Sequence, residues 1–378
     1  MTADGPLAGL LVVDLARVLA GPFCTRILAD LGARVVKVER PGTGDDSRAY
    51  GPYVDGQSLY FARVNRGKES IALDLKTDDG RTVLDALLSR ADVLVENFRP
   101  GVMDRLGFGP SALTERYPRL VALSLSGFGH TGPWSQRPAY DAVIQGMAGV
   151  MAITGEAGGS PVKPGVPVAD LSAGLYGAVA VVAAVHERSR TGRGQHLDVA
   201  MFDTTMSLLE GAALRWLATG DSPQAIGNAH FSIAPFDTFA CADRQIVICA
   251  ANDALFDRLC AELGLDLAGD ERFAGNAARH ENEKALKALL EQALAAAPAA
   301  EWLARLEAAG VPCGPVSSVA EAVGSEQASA RTMVVDAGGL PVPGNPIKSS
   351  VHADPREVAG PPALDADGPA LRRELGLP

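Results

Sequence analysis

Apolar residues in the first part of the chain gather in short runs, separated by segments whose apolar positions recur at helical spacing. Residues 10–15 form one such run and predict a buried strand. Residues 16–22 read as a loop, Pro22 can open a helix reaching Leu31, and Gly32 stops it. A second strand is expected over 34–39, which completes a βαβ unit. The alternation continues with strands over 71–75, 93–96, 120–125 and 195–200. Helices are expected near 80–90, 111–117 and 202–217. Strands alternating with helices predict an α/β fold, a Rossmann-like and mostly parallel sheet covered on both faces.

One stretch interrupts this rhythm. Residues 155–174 form a Gly/Pro-rich loop that leads to Asp170 and then to a long apolar run over 171–186. That run has almost no polar face and predicts a buried helix ending near Arg188, Arg190 and Gly192. Asp170 stands where an N-cap is expected, a role that stabilises a helix by about 1 kcal/mol and needs no further function. Its surroundings add a second possibility. Glycine-rich backbone and a helix N-terminus both favour an anion. A carboxylate held there can act as a covalent nucleophile, with amides near Gly158, Gly159 and Gly174 as candidate oxyanion donors.

Beyond a polar linker at 222–228 the pattern changes to a hairpin around 242–244, then Ala-rich helices near 253–263, 281–296 and 300–309. The expected organisation is a large Rossmann-like domain over 1–220 and a smaller α+β domain over 225–325. A tail over 326–378, rich in Pro and Gly, has too little apolar sequence for its own core and should wrap over the large domain or a second subunit.

Charge and cysteine usage narrow the possible chemistry. A formal net charge of −11 argues against nucleic acid or an anionic membrane as partner. The 5 cysteines are widely spaced with no C-x-x-C, so neither a disulfide framework nor a zinc site is expected, and cytoplasm is the default location. Glu39 at the end of the second strand suggests a dinucleotide ribose site. The first turn, however, carries one glycine where that fingerprint requires three, which disfavours a nicotinamide cofactor.

Several motifs together resemble the class III CoA-transferases, the family of formyl-CoA and carnitine CoA-transferases. They are Asp14-Leu15-Ala16-Arg17-Val18-Leu19-Ala20-Gly21-Pro22, Val36-Lys37-Val38-Glu39-Arg40-Pro41-Gly42, Asn65-Arg66-Gly67-Lys68, Val95-Glu96-Asn97-Phe98-Arg99-Pro100-Gly101, the 127–133 loop, and Gly165-Val166-Pro167-Val168-Ala169-Asp170. The resemblance implies that Asp170 is the nucleophile, passing through a mixed anhydride and an aspartyl-CoA thioester. It implies CoA contacts at Val18, Ala20, Arg40, Leu73, Lys76, Asn97, Phe98, Arg105 and Leu106, with acceptor contacts at Arg17, Leu19, Tyr140 and His230. It also implies coenzyme A and acyl-CoA as substrates with a carboxylic acid acceptor, no metal, nicotinamide or flavin, and an intertwined homodimer.

Two departures bear on the substrate. Leu19 replaces the glutamine of formyl-CoA transferases, and residues 227–235 lack their run of glycines. The Asn228 to Pro235 pattern resembles members that use succinyl-CoA, and Leu19 and Phe231 point to a less polar acceptor than oxalate. The alternative within the same fold is a 2-methylacyl-CoA racemase working by α-proton abstraction. Tyr140 stands at that enzyme's histidine position, and a phenol with a pKa near ~10 is a poor base for that task.

Overall fold

The computed structural model describes residues 5–267 and 269–378. Six strands build the main sheet: β1 Leu11–Asp14, β2 Arg34–Glu39, β3 Glu69–Ala72, β4 Val93–Glu96, β5 Val121–Ser126 and β6 His196–Ala200. Their spatial order is β3-β2-β1-β4-β5-β6 and every pairing is parallel. This is the doubly wound order, in which the chain reverses direction between β1 and β4 and opens a crevice at the strands' carboxyl ends.

Helices in this unit include α1 Ala20–Asp30, α2 Leu59–Asn65, α3 Asp78–Leu88, α4 Val102–Leu106, α5 Pro110–Arg116, α6 Asp141–Met147, α7 Val168–Thr191, α8 Met201–Ser207 and α9 Glu210–Thr219. Alternation along the strands divides the core. Val12, Val35, Val93, Val95 and Leu123 face α1 and α7, where they meet Cys24, Leu28, Ala173 and Val181. Val13, Val36, Ile71 and Leu94 face the other way, onto Leu84 and Leu87 of α3, Phe108 and Leu113. The α1–α7 contact needs small residues. A Cβ on Gly174 would sit 2.8 Å from both the Ala20 carbonyl oxygen and the Phe23 ring, which only glycine avoids.

The C-terminal residues close the β3 edge. Asp367 accepts the Ser70 N–H at 2.8 Å and Asp365 accepts the Ala72 N–H at 2.8 Å, so two outward amides of the edge strand are capped by carboxylates. Helix Gly368–Leu375 inserts Leu371 into the β1–β4 core. Short strands Val334–Ala337 and Pro341–Pro343 make a small satellite core with Ala62 of α2.

Three sequence expectations are corrected. α7 is not wholly buried: Leu175, Tyr176, Val179 and Val182 face solvent in a stripe opposite α1. By length and composition it is apolar enough to cross a membrane, yet its inner face is packed into the sheet's core. The helix expected over 202–217 is two, because the chain turns at Leu208-Leu209 and Glu210 takes φ 35. Residues Ala152–Val162, expected in the large domain, cluster instead with Pro223–Gly324 as a second unit.

That second unit is an antiparallel sheet of Phe236–Ala240, Gln245–Cys249 and Cys313–Pro315. Helices Asp253–Leu263, Glu283–Leu294 and Ala299–Ala308 cover it around Phe239, Ile248, Leu259, Leu290 and Trp302.

Beneath the carboxyl ends of β1 and β2 lies a buried ionic network. Asp14 accepts from Lys68 Nζ at 2.9 Å, Thr25 Oγ1 at 2.7 Å and the Ala16 N–H at 2.9 Å. Lys37 pairs with Asp45 at 2.9 Å and donates to the Ala16 carbonyl at 2.8 Å. Burial alone would raise the Asp45 carboxyl, but Lys37 and the Ser47 donors outweigh it and bring its pKa to about 2. Burial pushes the Lys68 ammonium down to about 8, with Asp14 opposing. Glu39 is spent inside this layer on Arg48, at 2.8 and 2.6 Å, and on Ser70, at 2.7 Å, so it offers no ribose contact. Removing one member of such a pair strands a buried charge. Lys37→Met is expected to cost roughly 3–5 kcal/mol in urea unfolding. Arg40→Met, at an exposed pair with Asp46, should cost under about 1 kcal/mol.

Candidate active site

The loop after β1 is held in a conformation that its sequence disfavours. Val18 is β-branched and sits at φ 68, a left-handed value that costs about 1–3 kcal/mol unless the surroundings impose it. Here they do. The Val18 N–H is donated to both oxygens of Asp45, at 3.1 and 3.3 Å. Asn97, just past β4, accepts the Arg17 N–H and donates to the Arg17 carbonyl, each at 2.8 Å. One side chain thus ties together the two loops that diverge at the switch point. Glu96 steadies the turn beyond it by accepting the Phe98 N–H at 2.7 Å; burial raises the Glu96 carboxyl to about 7.

The residues implied for CoA gather along this edge, but in different states. Val18, Asn97, Phe98 and Leu106 are half-buried, and Arg40, Lys76 and Arg105 are exposed. Ala20 is buried at the start of α1. Leu73 is 3% exposed and packs in the core beside Ile71 and Val83, so its side chain offers no surface to a ligand. Leu19, implied for the acceptor, is likewise buried at 2%. The cations are partly engaged. Arg40 pairs with Asp46, and Arg17 pairs with the same Asp46 at 2.9 Å while lying over the Phe98 ring. Asp45 is taken by Lys37.

Asp170 is the third residue of α7 and not its N-cap. The capping is done in trans by Asp141, the first residue of α6. Its Oδ1 accepts the Ala169 N–H at 3.0 Å and the Asp170 N–H at 3.3 Å, and Gln145 Nε2 donates to its Oδ2 at 2.6 Å. The Val168 and Leu171 amides are bonded to Val166 and Pro167 carbonyls. The anion favoured at this helix N-terminus is therefore a resident carboxylate, and these four amides are not available to an oxyanion. Two of the glycine candidates are also committed. Gly174 lies inside α7, and the Gly159 N–H closes a turn onto Glu156 at 2.9 Å. Gly158, at φ +74, belongs to the second unit.

A carboxyl in the first turn of a helix gains from the dipole, but two stronger effects oppose ionisation here. Burial pushes the Asp170 pKa up, the Asp141 charge pushes it further, and Arg63 partly offsets both, leaving it at about 7. Arg63 and Tyr60 act electrostatically with Asp170 alongside Asp141. The Arg63 guanidinium stacks over the Tyr60 ring at 3.8 Å, and Tyr60 meets Tyr50 edge-on at 5.3 Å. Burial first, and Asp170 among its neighbours, raise the Tyr60 phenol; Tyr50 is raised by burial, then by Asp46, with Tyr140 contributing. Tyr140 itself is 74% exposed and precedes α6. His230 lies in the second unit, its ring stacked on Phe231 at 4.5 Å and its Nδ1 receiving the Ser232 N–H at 3.2 Å.

Tyr50, Tyr60, Arg63 and the capping role of Asp141 escape a reading by motif. The available signal was the segment 58–65: Ser58 caps α2, and Tyr60 and Arg63 share a face at i, i+3.

Comparison with known proteins identifies the family. The sequence pattern of CoA-transferase family III matches residues 7–368. An acetyl-CoA:oxalate CoA-transferase of Acetobacter aceti is 51% identical over 376 residues, covering 99% of this chain and 97% of its own. A succinate–glutarate CoA-transferase of Agrobacterium fabrum is 40% identical, covering 88% of this chain and 85% of its own. Among solved structures, a CaiB/BaiF family protein from Brucella suis superposes with a TM-score of 0.89 at 44% identity, over 98% of this chain and 100% of the other. With Asp170 at the head of α7 and the switch-point loops tied by Asn97, the chain belongs to CoA-transferase family III and is a CoA-transferase.

Proposed function

We propose that this enzyme moves CoA from a short acyl-CoA, of the acetyl-CoA or succinyl-CoA kind, to a dicarboxylic acid, with Asp170 as covalent nucleophile. The observation that carries the reading is the half-buried Asp170 carboxyl, poised near neutrality between Asp141 and Arg63. The carboxylate attacks the thioester carbonyl, expels CoA thiolate and forms a mixed anhydride. The thiolate attacks the aspartyl carbonyl, releases the donor acid and leaves an aspartyl-CoA thioester. The acceptor carboxylate attacks that thioester, expels thiolate and forms a second anhydride. Thiolate attack on the acceptor's acyl carbon then releases the new thioester and restores Asp170.

The acceptor class follows from the relatives. Oxalate, succinate and glutarate each carry two carboxylates, and those acids are named for enzymes 51% and 40% identical to this chain. The oxalate enzyme is the more similar of the two, so Leu19, buried as it is, gives no ground for setting oxalate aside.

A second copy is proposed to cover the apolar surface left on α7 and α9. No residue of α9 is buried, and Leu214, Trp216 and Leu217 are exposed on it, as Leu175, Val179 and Val182 are on α7. Large apolar side chains exposed along two helices of one unit are what a subunit interface covers. The homodimer is intertwined, as the family resemblance implies. Leu217→Glu should shift the protein from dimer to monomer in sedimentation; a wild-type monomer at micromolar concentration contradicts the assignment.

Two measurements address the chemistry. Intact mass after incubation with acetyl-CoA or succinyl-CoA should show a CoA adduct removed by hydroxylamine and absent in Asp170→Ala. A persistent adduct in that variant rules Asp170 out as nucleophile. The pH profile of adduct formation should rise with pH through about 7 as Asp170 ionises. Asp141→Asn removes the like charge while keeping an oxygen to cap α7. It should move that limb to lower pH, an effect that separates Asp170 from Glu96, which also titrates at about 7. An unmoved limb counts against the Asp141 effect.

A further inference from the structure

Asp141 opens α6 but caps a different helix, and a residue one turn further on holds it there. Gln145 lies at i+4 on the same face of α6 and is fully buried, 0% exposed. Its Nε2 donates to Asp141 Oδ2 at 2.6 Å, while Asp141 Oδ1 takes the Ala169 and Asp170 N–H groups at 3.0 and 3.3 Å. Three donors on one carboxyl mark Asp141 as the ionised member of the Asp141–Asp170 pair. Because Asp141 acts only as an acceptor, the Gln145 amide has one orientation, nitrogen toward Asp141 and oxygen away. Gln145 Oε1 is then buried with no hydrogen-bond partner. An orphaned carbonyl in the interior lowers stability, and an apolar side chain of the same size would avoid it. Ile144 and Ala148 already anchor α6 in the core. The amide at this position is explained by the bond it makes.

We propose that Gln145 is a positioning residue for the transfer reaction: it holds the Asp141 carboxylate on the first turn of α7 and through it fixes the peptide that carries Asp170. This rests on the nucleophile reading above. The chain of contacts is continuous, from Gln145 Nε2 through the two Asp141 oxygens to the backbone N–H of Asp170 itself. A neutral donor suits the task. A lysine or arginine at position 145 would hold Asp141 equally well but cancel its charge, and that charge raises Asp170 beyond the effect of burial. Gln145 keeps the charge in place without neutralising it. The other charges around Asp170 are accounted for. Arg63 of α2 opposes Asp141. In the remaining elements packed on α7, Arg26 and Asp30 of α1 pair at 3.0 Å, Asp198 of β6 accepts the His130 N–H at 2.8 Å, and Asp203 of α8 responds to Asp198.

The test follows the CoA adduct formed from acetyl-CoA by intact mass, as a rate against pH. It compares wild type, Gln145→Met, Gln145→Asn, Asp141→Ala and the double variant of Asp141→Ala with Gln145→Met. Methionine keeps the volume and removes both polar atoms, whereas asparagine keeps the amide but falls one methylene short of Asp141. Each single Gln145 variant should slow adduct formation on the high-pH plateau by roughly tenfold, within the range of coupling between neighbours in one hydrogen-bond network. The half-buried Asp141 carboxylate, released on one side, turns toward solvent, so the rising limb should also move to lower pH, less far than in Asp141→Asn. Gln145→Met should keep a urea midpoint close to wild type, because the lost bond is offset by loss of the orphaned carbonyl. In the Asp141→Ala background Gln145→Met should change neither rate nor limb. An unchanged plateau and limb in both Gln145 variants overturns the proposal. So does an equal loss in the Asp141→Ala background, which makes Gln145 a packing residue. Absence of any adduct in the wild-type enzyme overturns the nucleophile reading, and this assignment with it.

Discussion

The buried pair of Lys37 with Asp45 is the constraint on which the site depends. Asp45 has two obligations: its charge neutralises Lys37 at 2.9 Å, and its oxygens take the N–H of Val18. The first makes Asp45 immovable, because separating the pair exposes an uncompensated charge in the interior. The second transmits that immobility to a residue in an unfavourable φ region. Lys37 adds a bond to the Ala16 carbonyl, two residues before Val18. The loop between β1 and α1 is thus clamped on both sides, and a strained valine backbone is retained at the crevice. A flexible loop would relax the strain and lose the fixed approach of α1 to α7, where Gly174 meets the Ala20 carbonyl. The ionic layer acts on the site through that geometry and touches no substrate.

At the head of α7 the physics differs from what a helix N-terminus usually offers. Asp141 occupies the amides that would otherwise hold a ligand anion, and its charge works against ionisation of Asp170 three residues into the helix. The arrangement trades an anion site for control of the Asp170 carboxyl, which suits the nucleophile proposed for it. A carboxylate at its ordinary pKa of about 4 is a weak nucleophile, and raising it toward neutrality increases basicity while keeping a useful ionised fraction near pH 7. Oxyanion donors have to be sought away from the first turn of α7.

Much of the scaffold was legible because its signals are local. Residues 34–39 and 93–96 read as strands from composition alone, and both match the observed strands. Gly32 and Gly192 were identified as helix stops, and both take left-handed backbone, at φ 100 and 73. The errors share a cause. A helix apolar on every side, like α7, gives the same sequence signal whether its outer face meets this chain's core or another surface, so burial was overstated. Asp170 resembles an N-cap in sequence because Asp141, the true capping group, is distant along the chain, and a cap supplied in trans leaves no local pattern. Arg63 and Tyr60 sit on a seven-residue helix whose only local marks are the Ser58 cap and their own i, i+3 spacing, a signal too short to stand out from a loop.

The most conspicuous arginines of the switch-point edge are already paired. Arg17 and Arg40 look available in the sequence, yet Asp46 holds both, and a cation already paired gains little from a second anion that must displace the first.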